Sequence, residues 1–280
     1  MSAELDWPPA AQWMQGRTAL VTGGGGREDG PGTIGWAVCR RLAQHGAAVA
    51  VLDRDPVAAA RTVDQINAAG GRAVALIADV TNDDACASAV REAVDALGSL
   101  DTLINNVAAW SAAELFDFEP DAFDQMLALN LKAAWSMTRH AAAVMHAGTP
   151  TPAIVNISSV AAKRAGTLYG LGKAATEAMT EGASFLLAER GIRVNAVQLG
   201  ALWSGAVAAN LDEDAREARR KLVALQTEGT CWDAADAVLF LASERARWVS
   251  GQILTVDGGG FGRTPYPGVK REPAQTGASV

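Results

Sequence analysis

The chain has 280 residues, 49% of them hydrophobic, and is long enough to bury a sizeable core. Its formal net charge is −7, and Lys and Arg are spread along the chain, which argues against a nucleic-acid-binding surface. Three widely separated cysteines, Cys39, Cys86 and Cys231, indicate neither a disulfide framework nor a zinc site. We therefore expect one enzyme-sized domain whose partner is a small molecule.

The sequence at the N-terminus differs from that of a signal peptide. Residues 1–6 are acidic where a signal peptide would be basic, and no apolar run reaches membrane-spanning length. We predict a cytoplasmic protein with an N-terminal extension over residues 1–15, a single domain over residues 16–260 and a flexible tail over residues 261–280.

Short Val- and Ile-rich runs alternate with longer Ala- and Leu-rich segments of helical period. Seven such runs predict parallel strands joined by right-handed helical crossovers, with helices on both faces of one sheet. The predicted fold is a Rossmann-like, doubly wound, three-layer α/β/α domain. The predicted strands cover residues 18–21, 47–52, 73–78, 102–104, 153–157, 192–197 and 252–256.

A glycine-rich turn follows the first predicted strand and leads into a helix over residues 36–45. It runs from Thr22 to Gly35 and includes four consecutive glycines, residues 23–26. Glycines let the backbone approach a ligand, and the amides at a helix start favour a pyrophosphate. The position of the turn predicts a dinucleotide site.

Asp53 ends the second predicted strand, where an acidic residue can bind the ribose hydroxyls of a dinucleotide. Its carboxylate would repel the extra phosphate of NADP, so we favour NAD over NADP as the cofactor. Arg54 and Arg27 argue the other way, because either can pair with that phosphate. The alternative is that Asp53 caps a turn and that both arginines are solvated.

The ends of the third and fourth predicted strands carry further polar side chains. Asp79 and Val80 are candidates for holding the adenine, and Asn105 and Asn106 for lying beside the cofactor ribose. Asx residues at strand ends are also common turn formers.

A predicted apolar helix over residues 123–144 carries a single amide, Asn130, and is expected to start at Glu119-Pro120-Asp121. The alternative for Asn130 is a buried side chain that bonds to its own helix backbone. In a later helix, Tyr169 and Lys173 are four residues apart and share a face. They follow Ser158 and Ser159, which point to opposite sides of an extended run, so only one can face a substrate. By itself a Tyr and a Lys at this spacing is a weak pattern.

Together these segments resemble the classical short-chain dehydrogenase/reductase family over residues 17–260. The resemblance rests on motifs that occur in the family's order along the chain. They are Thr22-Gly23 with Ile34-Gly35, Asp79, Asn105-Asn106, Asn130, Ser158-Ser159, Tyr169 with Lys173, Arg193-Val194-Asn195-Ala196-Val197 and Val256-Asp257-Gly258-Gly259.

The resemblance implies NAD(P)-dependent hydride transfer between a nicotinamide and a secondary alcohol or ketone. It assigns Tyr169 as the acid/base, Lys173 to the nicotinamide ribose, Ser159 to the substrate oxygen and Asn130 to a water of the proton relay. It also implies that Lys173 lowers the phenol pKa. A shift from about 10 to about 7 takes ~4 kcal/mol, which one cation about 4 Å away can supply, so Lys173 together with an oxidised nicotinamide is expected to bring the phenol pKa near neutrality.

By position, the resemblance also implies a set of cofactor-binding residues. They are Gly23, Thr33, Ile34, Gly35, Asp53, Arg54, Asp79, Val80, Asn106, Tyr169, Lys173, Gly200, Leu202 and Ser204.

The chain departs from the family pattern at four places. The glycine turn is several residues longer than usual, with Thr33 in place of its middle glycine. Val107-Ala108 replaces Ala-Gly after the two asparagines, and the loop between Ser159 and Tyr169 is shortened. Leu199 stands where a proline is expected, and Ser204 where a threonine is usual. The long turn resembles the enoyl-reductase branch, but the spacing of Tyr169 and Lys173 favours carbonyl or carbinol chemistry.

The segments that follow the site predict the substrate pocket, with residues 205–229 as a lid. Trp110, Val160, Leu168 and Trp203 are the candidate lining residues. Two tryptophans suggest a hydrophobic or aromatic alcohol or ketone. Alternatively, both pack under the lid or at a subunit contact.

Two other activities fit the same motifs. One is reduction of a 3-oxoacyl thioester with NADPH, and the other is dinucleotide binding by a regulatory protein without turnover. By analogy with the family, we expect a homo-oligomer, a dimer or a homotetramer, built on the helices that hold Asn130 and Tyr169.

Overall fold

The computed structural model describes residues 12–27, 30–110, 116–146, 151–163, 166–208 and 212–260. The predicted tail over residues 261–280 lies outside this part of the chain. The strands are β1 (Thr18–Thr22), β2 (Ala48–Asp53), β3 (Arg72–Ile77), β4 (Thr102–Asn105), β5 (Ala153–Ser159), β6 (Arg193–Leu199), β7 (Leu202–Trp203), β8 (Gly229–Thr230) and β9 (Ile253–Val256). The helices are α1 (Ile34–Gln44), α2 (Pro56–Ala68), α3 (Asp83–Leu97), α4 (Pro120–Leu127), α5 (Ala133–Val144), α6 (Leu168–Leu186), α7 (Gly205–Ala208), α8 (Glu213–Leu222) and α9 (Cys231–Ala242).

Within the described residues, seven strands form one parallel sheet in the order β3-β2-β1-β4-β5-β6-β9. All seven predicted strands are confirmed, with ends that differ by one or two residues. Strands β1 and β4 are neighbours, so the chain winds outward in both directions from that pair. A crevice therefore opens at the carboxyl ends of β1 and β4, where ligands of such sheets bind.

Helices cover both faces of the sheet and give the predicted three layers. On one face, buried apolar side chains of α1, α2 and α9 form a cluster with the sheet. On the other face, α3 and α5 contribute most of the buried helical side chains. The strands read as continuous hydrophobic runs because both of their faces are covered.

The ends of several helices follow from single residues. Pro120 is the first residue of α4, with Asp121 in its first turn, as predicted. Gly191 ends the segment after α6 in the left-handed conformation, with φ 67°. Met14 lies within the predicted extension, yet it is completely buried in the core, so the packed domain includes it.

The predicted lid contains α7 and α8 and lies between the short parallel strands β7 and β8. At its start, the Gly205 amide donates to the carbonyl of Gly32, so the lid is tied to the glycine-rich turn. Among the helices in the described part of the chain, none has the length and apolarity needed to span a bilayer.

Candidate active site

A cleft of about 570 Å³ lies at the carboxyl ends of β1, β2, β3 and β4, a size typical of small-molecule sites. Most of the predicted cofactor-binding residues line it, which brings four strand ends and two helix starts together. The predicted residues in the lining are Gly23, Thr33, Ile34, Gly35, Asp53, Arg54, Asp79, Val80, Asn106, Trp110, Tyr169 and Ser204.

Of the four consecutive glycines, residues 23–26, Gly23 lines the cleft. Gly24, Gly25 and Gly26 are buried and pack against neighbouring elements instead. A Cβ at Gly24 would lie 2.8 Å from the Cys39 sulfur, and one at Gly26 would lie 2.8 Å from the Trp36 ring. The glycines are thus needed for close packing against α1 and β2.

The backbone groups of this run are already hydrogen-bonded. The amides of Gly24 and Gly26 donate to carbonyls at the end of β2 and the start of α2, and the Gly25 amide donates to Asp53. The carbonyls of Gly24 and Gly25 accept from the hydroxyls of Thr62 and Thr33. These amides are therefore not available to a ligand.

The amides at the start of α1 are the candidates for binding a phosphate. Thr33 caps this helix, and its hydroxyl accepts from the amide of Trp36. Ile34 and Gly35, in the first turn, line the cleft, and the first amides of a helix have no intrahelical partner. A Cβ at Gly35 would lie 2.0 Å from the Gly23 carbonyl oxygen, so glycine is required where α1 meets β1. The residues present therefore fit a dinucleotide pyrophosphate.

Asp53 lies at the cleft, at the end of β2, as predicted. One carboxylate oxygen accepts from the Gly25 amide at 2.9 Å and the other from the Asp55 amide at 3.1 Å. Each oxygen retains a further lone pair for a ribose hydroxyl. Arg54, next in sequence, is exposed and lines the same cleft.

The third and fourth strand ends supply the remaining wall. Asp79 accepts from the amide and the hydroxyl of Thr81, and these bonds lower the pKa of its carboxyl. Asn106 donates from its side chain to the carbonyls of Thr22 and Gly23, so it fixes the end of β4 to the end of β1. It borders the cleft as expected for a residue beside a cofactor.

Asn130 lies in a π-helical turn, Ala128–Lys132, that joins α4 to α5. Its side chain is buried and donates to the carbonyls of Ala109 and Met126, while its Oδ1 has no partner in the described structure. The bond to Met126 fits the alternative reading of a helix-bonded amide. A π-turn is a frequent feature of functional sites. A Cβ at Gly172 would lie 2.8 Å from Asn130 Cβ, so the lack of a side chain at Gly172 lets α6 approach Asn130.

Ser159 ends β5 and its hydroxyl is hydrogen-bonded to the Tyr169 phenol. The phenol is largely buried, and burial raises its pKa, while the bond to Ser159 acts in the opposite direction. Tyr169 is thus a neutral phenol, suited to donating a proton. The Lys173 ammonium lies 5.8 Å from the ring centroid, and the expected lowering of this pKa by Lys173 together with an oxidised nicotinamide stays a prediction.

Lys173 is 3% exposed, and its ammonium donates to the carbonyl of Ile157 at 2.7 Å. Burial lowers the pKa of this ammonium to about 8, and the charge of Glu177 opposes the shift. Ser158 donates to Glu177, whereas Ser159 is bonded to Tyr169, so the two serines have different partners on α6. The sequence reasoning missed Glu177, although its spacing of four from Lys173 could have revealed it.

Three predicted residues near the lid have other environments. Leu202 is buried in the core, so its side chain is not a cofactor contact. The Gly200 amide donates to Val256, and a Cβ there would lie 2.4 Å from Asp257 Cβ, so this glycine is required for strand packing. Ser204 is at the cleft, as predicted.

The candidate substrate residues divide into two groups. Trp110 is 71% exposed and lines the cleft, and Val160 lies partly exposed just after β5. Leu168 does not line a pocket, because it is completely buried as the first residue of α6. The ring of Trp203 is covered by the Arg216 guanidinium at 4.0 Å, which supports the alternative of packing under the lid.

The chain resembles proteins of one family over nearly its whole described length. A family model described as Enoyl-(Acyl carrier protein) reductase matches residues 31–260. Glucose and ribitol dehydrogenase of Daucus carota is 33% identical over 89% of this chain and 86% of its own length. The 7alpha-hydroxysteroid dehydrogenase of Escherichia coli is 32% identical over 88% of this chain and 95% of its own.

A solved structure agrees. A short-chain dehydrogenase from Burkholderia cenocepacia J2315, in complex with NADP, superposes with a TM-score of 0.79. It is 34% identical, with 88% of this chain and 98% of that chain covered.

The chain belongs to the classical short-chain dehydrogenase/reductase family. As a short-chain dehydrogenase/reductase, the protein is an oxidoreductase that transfers a hydride between a nicotinamide cofactor and an alcohol or ketone. The thioester reductase and the non-catalytic binding protein are not favoured.

Proposed function

We propose that Tyr169 exchanges the proton that accompanies hydride transfer between the nicotinamide and a secondary alcohol or ketone. The observation that carries this proposal is the hydrogen-bonded pair of Ser159 and Tyr169 beside the cofactor cleft, next to the buried ammonium of Lys173. The bound cofactor supplies or accepts the hydride. The chain supplies the proton, the orientation and the fixed positive charge.

In ketone reduction, the Tyr169 hydroxyl donates its proton to the carbonyl oxygen while Ser159 donates a hydrogen bond to the same atom. The raised phenol pKa keeps this proton in place at neutral pH. Lys173 holds the cofactor ribose, and the buried Asn130, whose Oδ1 has no partner in the described structure, completes the proton path. A panel of ketones and alcohols, followed through the nicotinamide absorbance, tests the proposal. Turnover of secondary alcohols or ketones is expected, and turnover of alkenes alone would contradict it.

The NAD preference rests on Asp53, whose carboxylate faces the cleft at the end of β2. A Kd comparison for NADH and NADPH tests it with Asp53→Asn, which keeps the shape but loses the charge. The variant is expected to bind NADH roughly tenfold more weakly, because a charge-assisted hydrogen bond is lost. It is expected to bind NADPH more tightly, because a repulsion is lost.

Arg54→Ala is the matched control for that experiment. If Asp53 governs the choice, Arg54→Ala leaves the preference for NADH in place. If the wild-type protein binds NADPH more tightly than NADH, and Arg54→Ala loses this preference, then Arg54 outweighs Asp53.

We propose a hydrophobic or aromatic substrate, supported by the exposed indole of Trp110 on the cleft wall. Trp110→Ala is expected to raise KM for an aryl ketone by roughly tenfold or more, because loss of a contacting ring costs about 1–3 kcal/mol. KM for a small polyol is expected to change little. The assignment would be contradicted if the wild-type protein preferred the polyol, or if Trp110→Ala left KM for the aryl ketone unchanged.

We also propose a homo-oligomer, a dimer or tetramer, because the helices that hold the site carry exposed apolar side chains. Phe185 and Leu186 in α6 are 82% and 75% exposed, and Trp135 in α5 is 47% exposed. Exposed large hydrophobic residues of this kind mark contact surfaces.

We also propose a cytoplasmic location, consistent with three buried cysteines that are all unpaired. Residues 205–229 are proposed to act as a lid over the substrate.

A further inference from the structure

We propose that Glu177 is a positioning residue that keeps the Lys173 side chain charged and in place, and thereby sets the upper pH limit of activity. This inference rests on the proposed role of Lys173. Glu177 follows Lys173 by one turn of α6, on the same face of the helix.

The geometry fixes the Glu177 carboxylate firmly. Its Oε1 accepts from the Ser158 hydroxyl and from the Gln198 side-chain amide, each at 2.6 Å. Ser158 in β5 and Gln198 in β6 are completely buried or nearly so. The Thr255 hydroxyl in β9 donates to Gln198 Oε1 at 3.0 Å. A line of polar groups therefore crosses three strands and ends on Glu177.

Ser158 and Gln198 are both removed from water. Buried polar groups carry a desolvation cost unless they are paired, and here both donate to a carboxylate that lies one helical turn after the buried Lys173. Neither Ser158 nor Gln198 is among the residues that line the cofactor cleft. Their arrangement is explained if the carboxylate must be held at one position beside Lys173.

Glu177 is the charged side chain that acts on the Lys173 ammonium. The other titratable and charged groups on the elements packed near this part of α6 are different in position or charge. The Tyr169 phenol is neutral, Arg193 starts β6 at its far end, and the remaining groups are on exposed side chains, namely Asp121, Asp124, Lys132 and Lys163.

The sign of the effect follows from the chemistry of lysine. Burial disfavours the ammonium and a neighbouring carboxylate favours it, so loss of the Glu177 charge lowers the Lys173 pKa from about 8. The ammonium is then lost at a lower pH. The limb of the pH profile that falls as pH rises should therefore move down.

Glu177→Gln tests this inference, because it removes the charge but can still accept from Ser158 and Gln198. The first readout is the Lys173 titration in the protein without cofactor, followed by NMR of 13C-labelled lysine; the chain has five lysines. The second is the pH profile of kcat/KM. Both are expected to shift down by roughly one pH unit.

Glu181→Gln, one turn further along α6 and exposed, is the matched control and should move neither readout. Glu177→Asp restores the charge and should recover part of the shift. An unchanged Lys173 titration in Glu177→Gln would overturn the inference, whatever the activity. If the Lys173 pKa falls in Glu177→Gln but the upper pH limit of kcat/KM does not move, the catalytic consequence is overturned, and with it the proposed role of Lys173.

Discussion

Replacing Tyr169 with Phe is expected to lower kcat by roughly 10²–10⁴-fold, the range for loss of a general acid/base. The variant removes one oxygen, which is the atom that exchanges a proton with the substrate and bonds to Ser159. The ring remains to fill the same partly buried space. Steady-state kinetics with the best ketone of the panel measures the loss.

Two comparisons make this result specific. NADH binding should be largely retained in Tyr169→Phe, since most of the predicted cofactor-binding residues are elsewhere in the cleft and the variant keeps the ring. Tyr266→Phe changes the chain's other tyrosine, outside the described residues, and should keep full activity. Wild-type turnover in Tyr169→Phe would mean that another group supplies the proton.

Gly35→Ala is expected to have the largest effect on cofactor binding. The new Cβ would lie 2.0 Å from the Gly23 carbonyl oxygen and 2.7 Å from the Asn106 amide nitrogen. The Gly23 carbonyl is a backbone group, so that clash is relieved only by moving the start of α1 away from β1, while the Asn106 contact is with its side-chain amide. We expect a loss of at least about tenfold in NADH affinity, with a decrease of about 1–3 kcal/mol in the free energy of unfolding.

Gly182→Ala is the control for a glycine-to-alanine change as such. Gly182 is an exposed residue of α6, and a Cβ there would meet nothing within 4 Å. Alanine should raise the free energy of unfolding by about 0.5–1 kcal/mol, because it is the better helix former, and leave NADH binding unchanged. Gly35→Ala protein with wild-type NADH affinity would contradict the placement of the pyrophosphate.

The sequence was sufficient to predict the sheet and the strand-end residues. Buried parallel strands are recognisable as short Val- and Ile-rich runs, and the residue after each run necessarily lies at the sheet's carboxyl edge. Asp53, Asp79 and Asn106 were therefore correctly placed at the cleft. The spacing of Tyr169 and Lys173 likewise determined their common helix face.

The errors came from contacts between segments distant in sequence. The glycine-rich turn was predicted as part of a dinucleotide site, but the sequence did not show that Gly24 and Gly26 within it pack against Cys39 and Trp36. The residue type at Leu168 gave no indication of which way its side chain would point at the helix start. These outcomes depend on neighbours that local patterns do not identify.

The electrostatics of the site also could not be predicted from the sequence. The sequence suggested that Lys173 together with an oxidised nicotinamide lowers the Tyr169 pKa, but it did not show that the phenol is buried, which raises this pKa. The spacing of Glu177 from Lys173 was visible in the sequence. Its role became apparent only with Ser158 and Gln198, which come from separate strands.

Calorimetric titration of the wild-type protein with NADH and NADPH tests the central claim most directly, because it needs no knowledge of the substrate. We predict saturable binding of one dinucleotide per chain, tighter for NADH and weakened by Gly35→Ala. If neither dinucleotide binds to the folded protein, the cleft at the ends of β1 and β2 is not a nicotinamide cofactor site, and the proposed roles of Tyr169 and Lys173 do not hold.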